Sequence, residues 1–261
     1  MAAGDGDDGA AVRPRRLLLI AAVVAVAVLT IALATTRGGG APAGGAQVLA
    51  AASVADAVAD ADPRARVQAG GSDQLAFQVE NGITADVIVS ADAAITRRLH
   101  DEGHAGRPVP VAGNRLVVIT PAENPAGITG VRDLARPGLR LVVGTPSVPV
   151  GAYTRQALMA MGLGDATANV VSEEPDVRGV VAKVALGEAD AGIVYATDAA
   201  AAGARVATLA IPSTVQPAIV YTAAVLTRST DPDAGRDLIA LMRSADGRRA
   251  LAARGFTVPV P

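Results

Sequence analysis

The folded part of the chain alternates between two patterns of apolar positions. Short continuous apolar runs, typical of strands buried on both faces of a sheet, occur at residues 48–52, 85–90 and 116–119. Segments with apolar residues three or four positions apart separate these runs and predict helices, as at residues 54–61 and 72–81. This alternation predicts an α/β fold with parallel sheets whose two faces are covered by helices.

The alternation falls into two series, which predict two lobes. The final predicted strand and helices have no third sheet to join, so we expect them to return to the first lobe. Lobe one then comprises residues 47–121 and 218–261, and lobe two comprises residues 122–217, with crossings near Pro121 and residues 213–217. Ligands of such sheets bind in the crevice at the carboxyl ends of the strands, so the sequence predicts a cleft between the lobes.

Residues 1–36 have the pattern of a segment that enters a membrane. Three arginines precede an apolar run at residues 17–34, which at about 1.5 Å per residue nearly crosses a hydrocarbon core of ~30 Å. The arginines predict that the N-terminus stays inside and that the rest is exported. The length of the run favours an uncleaved anchor, whereas Ala32-Leu33-Ala34 fits a signal-peptide cleavage site, and both interpretations remain open. Residues 37–46 are glycine-rich and predict a flexible linker.

Composition narrows the classes of function. The 261 residues carry a net charge of −2, so nothing indicates a nucleic-acid partner. The chain has no cysteine, which excludes disulfides, thiol catalysis and cysteine-ligated metals. His100 and His104 have helical spacing, but Gly103 between them and the lack of a third ligand favour surface residues over a metal site. No nucleophile–base pair is evident, so the sequence argues against an enzyme and implies no cofactor.

Hydroxyl groups and glycines lie where several predicted strands end. Ser53 follows the first strand, Gly70-Gly71-Ser72 follows the second, and Tyr195 ends a later one. No cationic side chain, cysteine or acid–base pair accompanies them, which is the chemistry of a site that holds a small oxyanion through neutral hydrogen bonds. From the residues alone, Ser53 fits a helix cap as well as an anion contact, and Tyr195 fits a core tyrosine as well as a ligand contact.

Several short segments, taken in their order and spacing, resemble the molybdate-binding proteins of ABC importers. The resemblance covers about residues 47–257 and is carried by Ala50-Ala51-Ala52-Ser53, Gly71-Ser72, Ala85-Asp86-Val87-Ile88-Val89-Ser90, Val148-Pro149-Val150-Gly151, Asp176-Val177-Arg178-Gly179, Gly192-Ile193-Val194-Tyr195 and Arg254-Gly255-Phe256. It implies the two-lobed, type II periplasmic-binding-protein fold, with the ligand cleft between lobes that are joined by two crossovers.

The resemblance also implies a set of ligand-binding residues. In that family the oxyanion accepts hydrogen bonds from hydroxyl and backbone N–H groups near helix N-termini, and no metal ion serves as its counter-charge. By their positions in the motifs, Ser53, Ser72 and Tyr195 correspond to the hydroxyl donors. Val150 and Val177 correspond to the backbone donors.

The function that the resemblance implies is capture of molybdate or tungstate outside the cell membrane. The expected partner is an ABC permease in that membrane. The protein is expected to be a monomer, either anchored through its N-terminal segment or released after cleavage of the leader. Hinge motion of the two lobes would then close the protein over the anion.

Two departures from the family pattern keep alternatives open. Ser53 and Ser72 are 72 − 53 = 19 positions apart, a shorter stretch than the family usually has. Asp73 follows Ser72, and its carboxylate would repel an anion if it pointed inward. These features favour a non-transport sensor or scaffold with a degenerate site. Another tetrahedral oxyanion, such as sulfate, is the alternative within the class of binding proteins.

Overall fold

The computed structural model describes residues 44–257 of the chain. The expected membrane segment at residues 1–36 and most of the expected linker at residues 37–46 lie outside the described residues. The last residue of that linker already belongs to the fold, because Ala46 is buried and its carbonyl accepts the Arg66 N–H at 2.9 Å. In the described part, no helix has the length and apolar character needed to cross a membrane.

The first sheet contains five strands in the order β2-β1-β3-β10-β4. They are β1 (Gln47–Ala51), β2 (Arg66–Gly70), β3 (Val87–Ser90), β4 (Val109–Asn114) and β10 (Ile219–Val225). Strands β1, β2 and β3 are parallel, and β10 is antiparallel to β3 and β4. In β1, Val48 and Ala50 pack into one core cluster and Leu49 packs into another on the opposite face. Burial on both faces explains why the strand is a continuous apolar run.

The second sheet also contains five strands, in the order β7-β6-β8-β5-β9. They are β5 (Leu116–Pro121), β6 (Leu141–Gly144), β7 (Val170–Glu174), β8 (Ala191–Tyr195) and β9 (Val206–Ala210). Strand β6 is parallel to β7 and β8, while β5 is antiparallel to β8 and β9. The two sheets, each with its helices, form two lobes and confirm the predicted α/β class.

The first crossing between the lobes is earlier than the sequence predicted. We expected residues 116–119 to be the last strand of lobe one, with the crossing near Pro121. Instead β5 lies in the second sheet, so the chain changes lobe at Arg115, between β4 and β5. A buried apolar run specifies a strand but not its sheet, and here both edges of β5 are paired by strands of lobe two. The chain returns between β9 and β10, close to the predicted residues 213–217.

Helices cover the faces of both sheets in the described part. They are α1 (Ala55–Ala61), α2 (Ser72–Glu80), α3 (Ala93–Asp101), α4 (Pro149–Ala160), α5 (Val177–Ala185), α6 (Ala196–Ala202), α7 (Pro232–Arg243) and α8 (Ala245–Ala253). Short 3₁₀ turns occur at Val131–Ala135, Gly164–Asn169, Gly203–Arg205 and Ser213–Val215. Most of these helices begin within a few residues of the carboxyl end of a strand. Their N-termini therefore lie on the side of each sheet where a ligand crevice is expected.

Candidate ligand-binding site

A small cavity of about 20 Å³ lies between the two lobes. Lobe one contributes Ala51, Ala52, Ser53, Gly70, Gly71, Ser72 and Ala91 to its lining, and lobe two contributes Val148, Pro149, Asp176, Val177 and Tyr195. The structure thus brings together four of the five predicted site residues, which lie up to 142 positions apart in the chain (195 − 53). The fifth, Val150, does not line the cavity but follows Pro149, which does.

Ser53 lies in the turn that joins β1 to α1, at the carboxyl end of a central strand. Its Oγ is 2.8 Å from the hydroxyl of Tyr221 on strand β10. The N-cap residue of α1 is Val54, and no side chain caps that helix. The structure therefore excludes the helix-cap interpretation of Ser53 and leaves its hydroxyl in a hydrogen-bonded pair beside the cavity.

Ser72 opens helix α2 and is 2% exposed. Its Oγ accepts the backbone N–H of Ala91 at 3.1 Å, so the hydroxyl hydrogen remains available to a ligand. The preceding residue, Gly71, packs against lobe two. A Cβ atom there would be 2.5 Å from the carbonyl oxygen of Pro175, in lobe two. Glycine is therefore required for the two lobes to approach each other at this point.

Val150 and Val177 lie in the first turns of α4 and α5. The N–H groups of a first helical turn have no carbonyl within the helix to bond, so they are available to other acceptors. Pro149, at the first position of α4, has no N–H, and its fixed φ suits a helix start. Asp176 caps α5, because its carboxylate accepts the Gly179 N–H at 3.1 Å.

Tyr195 ends strand β8 and is 2% exposed. In the described part of the chain, its hydroxyl forms no hydrogen bond. Leaving a buried polar group without a partner costs about 1–3 kcal/mol, so such a group usually has a ligand, water or ion to bind. Burial raises the pKa of Tyr195 well above its usual value, so the hydroxyl stays protonated and can donate a hydrogen bond.

The cavity lining offers donors without a formal positive charge. Among the described residues, no lysine, arginine or histidine lines it, and its only charged side chain is the capping residue Asp176. The N-termini of α2, α4 and α5 all lie at this cavity, and their partial positive charges favour an anion. Asp73 does not line the cavity; it lies on a neighbouring surface with Gln74 and Phe77. Its Oδ1 is buried without a hydrogen-bond partner among the described residues, and it lies next to Gly71, 2.9 Å from where a Cβ of that residue would be.

Two polar residues near the cavity, Tyr221 and Asn114, were not identified as part of the site from the sequence. Tyr221 lies on β10, and its hydroxyl bonds both Ser53 and, at 3.4 Å, the side-chain amide of Asn114. Its ring also packs edge-on against those of Tyr195 and Phe256, with centroids 5.9 and 5.4 Å apart. These partners lie on distant segments of the chain, so no local pattern could indicate them.

Arg178 connects the lobes beside the cavity. Its guanidinium is 2.9 Å from the Asp56 carboxylate in lobe one, and its Nε donates to the Ala52 carbonyl at 3.2 Å. Arg178 thus pairs with an acid of the opposite lobe and not with the nearby Asp176. Within the described part, this is the one ion pair that joins the lobes, and it adjoins two site residues, Ser53 and Val177.

A larger cavity of about 650 Å³ lies beside the first, and Ser53 and Ala52 line both. Its lining includes Asp198 at the start of α6, whose Oδ2 is buried without a hydrogen-bond partner. Burial raises the pKa of Asp198 to about 7, against an opposing effect of the nearby Arg178 guanidinium. The Asp198 carboxyl is therefore partly protonated near neutral pH.

Comparison with known proteins identifies the family of the chain. The sequence profile of a family described as bacterial extracellular solute-binding proteins matches residues 47–257, which is most of the chain. The chain belongs to this family. The molybdate-binding protein ModA of Mycobacterium tuberculosis is 42% identical to it over 190 residues, which are 72% of each chain. ModA of Haemophilus influenzae is 31% identical over 227 residues, covering 80% of this chain and 89% of that protein.

Solved structures of solute-binding proteins share the fold. The periplasmic molybdate-binding protein of Azotobacter vinelandii superposes with a TM-score of 0.71 at 23% identity, covering 82% of this chain and all of that chain. The sulfate-binding protein SubI of Mycobacterium tuberculosis superposes with a TM-score of 0.70 at 19% identity, covering 83% and 87%. At these identities the likeness establishes the two-lobed type II fold. These relatives are named as binding proteins, not as enzymes.

Proposed function

We propose that this solute-binding protein captures molybdate outside the cell membrane and delivers it to an ABC importer. The observation that carries the proposal is the buried, unpartnered hydroxyl of Tyr195, which lies in a cavity without cations at three helix N-termini. Relatives at 42% and 31% identity are named as molybdate-binding proteins, which agrees with that chemistry.

The donors of the cavity suit an anion that only accepts hydrogen bonds. Molybdate carries two negative charges on four oxygen atoms, and each oxygen accepts but does not donate. We assign hydroxyl donors to Ser53, Ser72 and Tyr195, and backbone N–H donors to Val150 and Val177. Hydrogen bonds to a charged group are each worth about 1.5–3 kcal/mol, so five of them in a dry cleft hold a dianion without a counter-charge.

Size distinguishes the tetrahedral oxyanions that could enter this cavity. Molybdate and tungstate are larger than sulfate, so a cleft that closes to fit them leaves sulfate with longer and weaker hydrogen bonds. Because the donors are neutral, no positively charged side chain attracts a smaller anion strongly enough to offset its longer hydrogen bonds. We therefore propose tungstate as a second ligand and sulfate as a weak competitor.

Capture would proceed by closure of the lobes over the anion. Two chain segments connect the lobes, at Arg115 and between β9 and β10, and they provide the hinge. The Arg178–Asp56 pair and the Gly71–Pro175 contact would form as the lobes meet. The permease partner, the monomeric state and an N-terminal signal or anchor belong to the same proposal.

Thermal unfolding of the purified protein with molybdate, tungstate, sulfate and phosphate tests the proposal. A ligand at 100 times its Kd stabilises a protein by about 2.7 kcal/mol, which for about 200 residues raises Tm by roughly 5–10 °C. We expect this shift with molybdate and tungstate, and a loss of it in Ser72→Ala. A shift with sulfate alone would change the substrate. No shift with any of the four would favour a sensor or scaffold with a degenerate site.

A further inference from the structure

Ser53 can donate to an anion only if its hydroxyl hydrogen points into the cavity. A serine hydroxyl has one hydrogen and two acceptor lone pairs, and it rotates to suit its neighbours. If a lone pair faced the anion instead, the contact would be repulsive. What controls the rotation of Ser53 Oγ–H therefore controls one of the proposed ligand contacts.

The neighbour of Ser53 is the hydroxyl of Tyr221, 2.8 Å away. Tyr221 lies on β10 and is completely buried. Burial raises the pKa of Tyr221 above its usual value, so the hydroxyl keeps its hydrogen. Either oxygen of this pair could be the donor when the pair is considered alone. A third residue, Asn114, resolves the direction.

The orientation of the Asn114 amide is fixed by the backbone. The N–H of Arg115 donates to Asn114 Oδ1 at 2.9 Å, and a backbone N–H can bond only the oxygen of the amide. The Nδ2 group therefore faces the other partners, Thr197 Oγ1 at 2.9 Å and the Tyr221 hydroxyl at 3.4 Å. An amide nitrogen only donates, so the Tyr221 oxygen accepts from Asn114.

The direction of each remaining hydrogen bond follows from this polarity. The Tyr221 oxygen accepts from Asn114. Among the described residues, Ser53 Oγ, 2.8 Å away, is the one other partner of that hydroxyl, so it accepts the Tyr221 hydrogen, which would otherwise be buried without an acceptor. Ser53 Oγ thus accepts from Tyr221, and its own hydrogen is free to point elsewhere. Ser53 lines the small cavity as well as the larger one beside it, so this hydrogen is available to a ligand there.

We propose that Tyr221 is a positioning residue that directs the hydroxyl hydrogen of Ser53 toward the bound oxyanion. The inference rests on the proposed function, since Ser53 is there a ligand contact. Asn114 ends β4 immediately before the first crossing, and Thr197 belongs to lobe two. The chain of hydrogen bonds from Thr197 through Asn114 and Tyr221 to Ser53 therefore connects the hinge with the site.

The decisive variant is Tyr221→Phe, which keeps the ring and its edge-on packing but removes the hydroxyl. We expect the Kd for molybdate, measured by isothermal titration calorimetry on the whole protein, to rise about tenfold. In Ser53→Ala the additional change Tyr221→Phe should then alter Kd less than twofold, because Tyr221 acts through Ser53. A residue with a purely structural role would weaken binding to the same extent in both backgrounds.

Thr222→Val is the matched control. Thr222 is the next residue of β10, also buried, and its hydroxyl bonds Thr96 at 2.7 Å rather than Ser53. This control should lower Tm but leave Kd within twofold of wild type. A second variant, Asn114→Leu, keeps Tyr221 but removes the donor that sets its polarity, and it should weaken molybdate binding about threefold or more.

The outcomes separate this inference from the proposed function. Wild-type protein that binds no molybdate would refute the function and this inference with it. Wild-type protein that binds molybdate while Tyr221→Phe binds within twofold of it would refute the inference alone. Equal effects of Tyr221→Phe with and without Ser53 would also overturn it. A tenfold loss that disappears in Ser53→Ala supports it.

Discussion

Replacing Tyr195 with phenylalanine removes one oxygen atom from the cavity and leaves the ring in place. In the described structure this hydroxyl is buried without a hydrogen-bond partner. The substitution therefore breaks no internal hydrogen bond, and it removes the cost of about 1–3 kcal/mol of an unsatisfied polar group. We expect the Tm of the ligand-free protein to stay the same or to rise in Tyr195→Phe.

The effect on ligand binding should have the opposite sign. A hydrogen bond to a charged acceptor contributes about 1.5–3 kcal/mol, and each 1.4 kcal/mol is a factor of ten in Kd. Tyr195→Phe should therefore raise the Kd for molybdate by about 10- to 150-fold. This combination of unchanged or higher stability with weaker binding distinguishes a ligand contact from a residue that only maintains the fold.

Calorimetric titration with molybdate and a thermal melt of the ligand-free protein measure the two effects. Thr154→Val is the matched control, because the Thr154 hydroxyl is also buried without a partner but does not line the cavity. Removing it should affect stability as Tyr195→Phe does and leave Kd unchanged. The reasoning fails if Tyr195→Phe binds molybdate within twofold of wild type, or if Thr154→Val weakens binding equally.

Three further predictions follow from the cleft. Gly71→Ala should weaken molybdate binding at least tenfold by calorimetry, because its Cβ would meet the Pro175 carbonyl as the lobes close. It should change the ligand-free Tm little, because its close contact within lobe one is with Asp73 Oδ1, the end of a side chain that can move. Arg178→Gln should raise the Kd for molybdate about two- to fivefold, because it removes the ion pair with Asp56 that joins the lobes. The pair is exposed, so the effect should be smaller at high salt, and an unchanged Kd at low salt would contradict this prediction. Burial raises the pKa of Asp198 from 3.8 to about 7, so the folded state favours the neutral carboxyl. The stability that this group contributes is fully present below pH 3.8, and it is lost as the pH rises through 7 and the buried carboxyl ionises. Urea unfolding should show this loss, at most about 4 kcal/mol, in wild type but not in Asp198→Asn.

The order of strands and helices could be predicted because each buried strand is a continuous apolar run, whereas each helix has apolar residues three or four positions apart. The same pattern located Ser72 and Tyr195, since both lie where a strand ends and the carboxyl ends of strands meet at one crevice. It could not assign β5 to a sheet, because pairing with β8 and β9 depends on partners many residues away.

Contacts between distant segments were also beyond the sequence pattern. The pair of Ser53 with Tyr221 joins residues 168 positions apart, and the bond of Arg178 to Asp56 joins residues 122 apart. The apolar residues around a buried tyrosine in a strand such as β10 do not show whether its hydroxyl orients a ligand-binding side chain or only satisfies its own hydrogen bond. The three-dimensional arrangement is needed to show that the Tyr221 oxygen accepts a hydrogen bond from the Asn114 amide.

A cavity with neutral donors makes ligand affinity dependent on closure of the lobes. In water, hydroxyl and N–H donors bind solvent about as well as they bind an anion, so their net contribution is small. When the lobes exclude water, the same hydrogen bonds act at a lower dielectric constant and become stronger. The donors come from both lobes, since Ser53 and Ser72 belong to one and Val177 and Tyr195 to the other. Opening the cleft would therefore separate the donors and rehydrate them in one step, so a permease that opens the lobes would release the anion without changing any charge in the site.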